Sequence, residues 1–278
     1  MITRRKLAGG MGAATVAGVA LASTAAKAQS TNEPTFDRVR RTKILRVVVV
    51  PGSAPYFQKD QGGTWSGAAI EMAKDIAEPL GAKLEYVEST YPNSVLDLAS
   101  GRADIGFALN PTGERALSIT FTHPYYMAPY TFLAKGDFKP KTWSELNDAK
   151  VRACAIQGSL AEFLLRRYAP RAQITTFRSL DDGVMAIQSS QADCIISAAL
   201  QALSVKSRNP LFQTVTVAEG PRIAMPTCLG IRAEADQRWR DFLNAWIDYN
   251  RFSGQILDWV GAELAKTGIK REDVPSDL

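Results

Sequence analysis

From Ile44 onward the chain alternates short apolar runs with helix-period stripes, the pattern of an α/β fold with a largely parallel sheet. Leu45-Arg46-Val47-Val48-Val49-Val50 reads as a buried strand. After a Gly/Pro-containing loop, Ala69, Ile70, Met72, Ala73, Ile76, Ala77 and Leu80 recur at helical spacing and stop at Pro79-Leu80-Gly81. Strand, helix and strand follow over 83–88, 95–100 and 103–109.

A second, similar series begins after Lys139-Pro140-Lys141, with strands predicted at 151–156, 174–177 and 193–197 and helices at 160–168 and 180–189. Two extended stretches, 130–135 and 227–232, lie between and after these series. Two crossing strands make a natural hinge. A closing helix carries Trp239, Phe242, Leu243, Trp246 and Ile247 at i, i+3, i+4, i+7 and i+8, an apolar stripe for packing on the first half. The pattern divides the chain into an export signal at 1–28, a first lobe of 36–129 plus 228–278, and a second lobe of 130–227.

The signal is read from Arg4-Arg5-Lys6 ahead of a weakly hydrophobic Gly/Ala/Thr stretch that ends at Ala26-Lys27-Ala28. These are the parts of a twin-arginine leader, cleaved after about Ala28, and they predict a periplasmic protein. The leader changes the meaning of the charge. Of 33 basic and 28 acidic residues, Arg4, Arg5, Lys6 and Lys27 sit in the leader, so the mature chain carries 29 basic residues against 28 acidic ones. No basic tract remains outside the leader, which removes nucleic acid as a partner.

Cys154, Cys194 and Cys228 lie in apolar strand-like runs. In an oxidising compartment they permit one disulfide with one thiol left over, or they are three buried small hydrophobes. With His123 the only histidine and no cysteine pair at ligand spacing, neither a metal site nor a cofactor is expected. His123 reads as a turn residue.

The chemistry concentrates between Asp104 and Arg115. A buried strand ends at Asn110-Pro111, and Thr112 is a good N-cap for a helix whose first-turn amides favour anions. Arg115, one turn in, offers a planar guanidinium that can grip a carboxylate through two hydrogen bonds. Taken alone, Arg115 reads as a surface arginine on a helix.

Asp104, Thr112-x-x-Arg115 and Phe121-Thr122-x-Pro124-Tyr125-Tyr126, in that order, resemble the signature of the extracellular solute-binding proteins of polar-amino-acid ABC transporters. Ala54-Pro55-Tyr56, Trp65-Ser66-Gly67, Leu98-x-x-Gly101-Arg102-Ala103-Asp104, Ala155-Ile156-Gln157-Gly158-Ser159 and Gln191-Ala192-Asp193 extend the resemblance over nearly the whole mature chain. It implies a periplasmic-binding-protein-like α/β fold of two lobes, each a mainly parallel sheet flanked by helices, joined by two crossover strands. It also implies a monomeric receptor that closes around a small carboxylate-bearing metabolite, an amino acid or related organic acid, and docks on a membrane ABC permease or sensor. By resemblance the carboxylate-binding arginine falls on Arg115, with Asn110, Thr112, Tyr56, Gly158 and Ser159 contributing further ligand contacts. The ring that stacks on the ligand falls on Tyr91, where a packing or turn tyrosine fits equally well.

Two departures bear on the ligand. The family's acid for an α-ammonium falls on Ala198, so an ordinary amino acid fits poorly unless Asp182 or Glu219 reaches in. Ser53 stands where an aromatic is usual, which leaves room where a ring would have stood. The link before Thr112 is one residue shorter than usual. Two alternatives accompany the receptor reading. The scaffold also resembles periplasmic cyclohexadienyl dehydratases, for which Glu162 is the acid nearest the second-lobe turn. An accessory or sensor protein with a degenerate pocket is the other. No nucleophile–base pairing or metal cluster favours an enzyme.

Overall fold

The Val-rich run forms β1 (Ile44–Val49), and Leu45, Val47, Val48 and Val49 are buried, as in a strand covered on both faces. It follows a short helix, α1 (Thr35–Thr42), that the apolar pattern did not predict. The computed structural model describes residues 33–212, 215–270 and 274, so the leader assigned to 1–28 lies outside the described residues. Beyond β1 come a small hairpin of β2 (Gln58–Lys59) and β3 (Trp65–Ser66), then α2 (Ala68–Ala77), β4 (Lys83–Glu88), α3 (Tyr91–Ala99) and β5 (Ile105–Leu109). β1 lies between β4 and β5 and runs parallel to both.

The one-turn helix α4 (Gly113–Ala116) leads into the long strand β6 (Ile119–Ala134) and then α5 (Trp143–Leu146). The second series then repeats the first. In it β7 (Arg152–Ile156), α6 (Leu160–Tyr168), β8 (Gln173–Phe177), α7 (Leu180–Gln188) and β9 (Cys194–Ala198) place β7 between β8 and β9, again all parallel. The chain continues through α8 (Ala199–Arg208), β10 (Val215–Val217) and β11 (Ala224–Arg232) to α9 (Arg238–Phe252) and α10 (Gln255–Ala265). The result is the two-lobed α/β fold expected, with the sheet order β4-β1-β5-β11-β6-β9-β7-β8.

One ion pair recurs in both halves and fixes the third strand against the first. Asp104 accepts from the Arg46 backbone N–H at 2.7 Å and pairs with Arg46 Nη2 at 2.7 Å, while its own N–H donates to the Arg46 carbonyl at 2.9 Å. Asp193 does the same with Arg152, accepting from the Arg152 N–H at 2.9 Å, meeting its guanidinium, and donating to its carbonyl at 2.8 Å. In the first half Arg38 adds a second guanidinium to the buried Asp104. The Arg152 guanidinium holds the Asp193 carboxyl below its ordinary range.

The connections lie in β6 and β11, which pair antiparallel with each other. The first part of β6 lies along β11, and Tyr130–Ala134 lies along β9. The extended stretches predicted at 130–135 and 227–232 are therefore parts of longer strands. Pro124 and Pro129 hide the first part of β6 from a pattern reading, because a proline cannot donate to a ladder and is rare inside a paired strand. His123 lies in β6, exposed and facing Asp248 at 3.2 Å, and is not in a turn. The stripe on α9 packs as read: Trp239, Leu243, Trp246 and Ile247 are buried, and the Trp239 indole donates to the Asp104 carbonyl at 3.1 Å. The three cysteines are buried free thiols on β7, β9 and β11. No helix among the described residues is long and apolar enough to cross a membrane.

Candidate functional site

β5 ends by bending its backbone. Ala108 has φ 57°, a left-handed conformation that costs a non-glycine residue on the order of 1 kcal/mol. Its N–H donates to the buried Tyr125 hydroxyl at 2.9 Å, which holds the bend. The next turn delivers Asn110 and then Arg115. Thr112 caps the turn by accepting the Arg115 N–H at 3.3 Å.

Arg115 is half-buried and spans the two halves. Its Nη1 donates to the Asn110 carbonyl at 3.1 Å and its Nη2 to the Gly158 carbonyl at 3.0 Å, on the turn after β7. Both partners are neutral, and burial lowers the guanidinium pKa from its ordinary value. Asn110 is buried and anchored by both ends of its amide, with Nδ2 donating to the Pro226 carbonyl at 3.0 Å and Oδ1 accepting from the Tyr130 hydroxyl at 3.2 Å.

These residues border a small, partly open cavity of about 30 Å³, room for about two water molecules. It lies where the strand ends of an α/β sheet leave a crevice. Tyr56, Tyr91, Tyr126 and Tyr130 wall it with buried rings. The Tyr56 and Tyr126 hydroxyls hydrogen-bond each other, and the Tyr91 hydroxyl accepts from Gln201 Nε2 at 3.4 Å. Burial pushes the phenols of Tyr91, Tyr126 and Tyr130 up. Ser197 of β9 also lines the cavity, and its Oγ is buried without a hydrogen-bond partner. No Asp or Glu lines this cavity among the described residues.

A more open groove of about 800 Å³ lies outside it, and Arg115, Tyr91 and Ser159 border both spaces. The sequence-derived residues divide between them. Tyr56, Asn110, Arg115, Tyr91 and Ser159 line the inner cavity. Thr112 and Gly158 face the outer groove. The helix after Thr112 is only four residues long and its cap hydroxyl is occupied by Arg115, so the expected helix-terminus anion corner is replaced by the Arg115 guanidinium itself. The Ser159 hydroxyl caps α6, accepting from the Glu162 N–H at 3.4 Å.

Several other expectations change. Tyr91 is the first residue of α3, placed there by the Thr90 cap and by Pro92, which fits a first helical turn where no backbone donor is needed. Ser53 is itself buried, so no open space is left beside it. Asp182 closes a capping box with Ser179, and Glu219 is exposed beside Lys141, so neither reaches the cavity. Glu162 accepts the Gly158 N–H at 2.8 Å and pairs with Arg166 at 2.9 Å, on the outer groove. The sequence reading missed Tyr126, Tyr130, Ser197 and Gln201 as cavity residues. Gln201 carried a usable signal, an uncharged polar side chain within the apolar stretch of α8 that is 6% exposed.

Fold and crevice define a two-lobed solute-binding architecture. Residues 45–258 match the bacterial extracellular solute-binding proteins, family 3, and the chain belongs to that family. Cyclohexadienyl dehydratase of Pseudomonas aeruginosa is 28% identical over 249 residues, 85% of this chain and 87% of that protein. A probable amino-acid ABC transporter-binding protein of Haemophilus influenzae is 28% identical over 176 residues, 63% of this chain and 67% of that protein. Among solved structures, an ancestral amino acid-binding protein that is a precursor of cyclohexadienyl dehydratase superposes with a TM-score of 0.74 at 26% identity, over 82% of this chain and 100% of that one. The amino acid ABC transporter substrate-binding protein AbpA of Streptococcus pneumoniae, bound to L-arginine, shares the fold with a TM-score of 0.77 at 20% identity, over 84% of this chain and 100% of that one.

Proposed function

We propose that this chain is a periplasmic solute-binding protein of an ABC uptake system, exported by its twin-arginine leader, that holds a small carboxylate-bearing metabolite between lobes of 36–129 plus 228–278 and 130–227. The observation that carries the reading is Arg115, a half-buried guanidinium with neutral carbonyl partners at the edge of a tyrosine-walled cavity. A cation so placed is unsatisfied until an anion arrives. The amino-acid-binding relatives support the same class of ligand. Ligand bridging the halves shifts the population toward the closed form, and that form is the one a permease or sensor reads. Replacing Arg115 with Ala should abolish ligand-induced thermal stabilisation and calorimetric binding. Binding unchanged in R115A rejects the assigned site.

The second reading is a dehydratase, favoured by the relative from P. aeruginosa that spans most of the chain. Expulsion of water needs an acid at the substrate, and Glu162 is instead engaged by Gly158 and Arg166 outside the inner cavity. Incubation with prephenate separates the two, since phenylpyruvate formation is expected only of the enzyme.

A further inference from the structure

We infer that the ligand is a short, singly charged 2-hydroxy or 2-oxo acid without an ammonium group, an inference that rests on the receptor reading above. The first support is charge balance. The inner cavity is bordered by one fixed charge, Arg115, and by no carboxylate among the described residues. A monoanion makes the site neutral. A zwitterionic amino acid leaves one positive charge uncompensated among the buried tyrosine rings of the wall, and a dicarboxylate leaves one negative charge over; either excess costs more there than in bulk water.

The second support is the hydrogen-bonding inventory. Ser197 Oγ is buried, lines the cavity and has no partner, and a buried polar atom left that way is a group awaiting one. Gln201 Nε2 makes only a long 3.4 Å contact to the Tyr91 hydroxyl and can serve a better acceptor. A hydroxyl or keto oxygen beside the carboxylate can accept from both. An ammonium cannot accept from either, no carboxylate among the described residues lines the cavity to receive it, and Asn110 Oδ1 already accepts from the Tyr130 hydroxyl at 3.2 Å.

The test uses the exported protein, unfolded in guanidinium, dialysed, refolded and checked by circular dichroism so that any resident ligand is gone. Glycolate, L-lactate and pyruvate are titrated in a calorimeter beside glycine, L-alanine, L-glutamate, L-arginine and the neutral isostere lactamide. The acids should bind, each at least about tenfold more tightly than its amino or amide counterpart. R115A should lose the acids, and S197A should weaken lactate while leaving propionate, which has no 2-oxygen, unchanged. Alanine within tenfold of lactate, or glutamate as the tightest binder, overturns the ligand class and leaves the receptor reading standing. Silence from both the acid and amino-acid series in folded, ligand-free protein overturns both.

Discussion

Arg115 Nη2 donates to the Gly158 carbonyl at 3.0 Å, tying the turn after β5 to the turn after β7. The same guanidinium borders the cavity between those turns. One side chain is thus placed both to meet an anion and to respond to closure. A lysine at this position should restore only part of what R115A removes, because an ammonium is a point donor without the fork that spans Asn110 and Gly158. Calorimetry on R115K should give an affinity between wild type and R115A; wild-type affinity in R115K would mean that charge alone suffices.

Gly158 sits where the turn after β7 meets the start of α3. It has φ 68°, and an added Cβ would collide with Cγ of Pro92 in the first lobe. Gly158→Ala should leave each lobe folded while opposing their approach. Small-angle scattering should show no ligand-induced compaction, and affinity should fall about tenfold or more. Normal compaction in G158A would show that the two turns are not the closing surfaces.

Gly67 is constrained inside one lobe. Its φ is 124°, and a Cβ would run into the Tyr56 carbonyl oxygen, a backbone atom that has nowhere to go. Gly67→Ala should destabilise the protein by about 2–4 kcal/mol and displace Tyr56 from the cavity wall. Denaturant unfolding measures the first effect, and a stability unchanged within about 0.5 kcal/mol would contradict it.

The thiols should be inert. Burial pushes Cys154 and Cys228 up to about 12 and Cys194 well above its ordinary value. Because only the thiolate attacks, the folded protein at about pH 8 should resist alkylation at all three positions and react at all three after unfolding, as read by intact mass. Rapid labelling of the folded protein would show that these strands open.

Ligand affinity should be flat across neutral pH. Burial raises the cavity phenols, which keeps Tyr91, Tyr126 and Tyr130 neutral, and it lowers the Arg115 guanidinium, the most basic side chain a protein carries, only from the top of the range. The group left to titrate is the ligand's own carboxyl, so binding should hold from about pH 6 to 8 and weaken as pH falls toward about 4. A change centred near neutrality in a titration series would point to a group this site does not contain.

Much of the fold was legible because its strands announce themselves: the Val-rich run of β1 and the apolar run before Ser197 admit few other readings. The long crossover strand β6 was half hidden by Pro124 and Pro129, and the stacking and turn readings of Tyr91 stayed level because its helix starts with a capped Pro that resembles a turn. In the site, Arg115 and Asn110 were reachable through the family resemblance of the segment from Asp104 to Tyr126, whereas local order alone left Arg115 a surface arginine. Ser197 was not, because it reaches the cavity only through the pairing of β9 with β6, a contact between residues far apart in sequence, and Gln201 gave only the hint of a lone uncharged polar side chain in the apolar stretch of α8.

The receptor reading and the ligand class both require an anion on Arg115 inside the closed crevice. A crystal structure of the protein as purified from its native cells tests this most directly. The expected result is density for a small acid whose carboxylate lies within hydrogen-bonding distance, about 3 Å, of the Arg115 guanidinium. A ligand seated only in the outer groove, or one whose carboxylate faces away from Arg115, would contradict it.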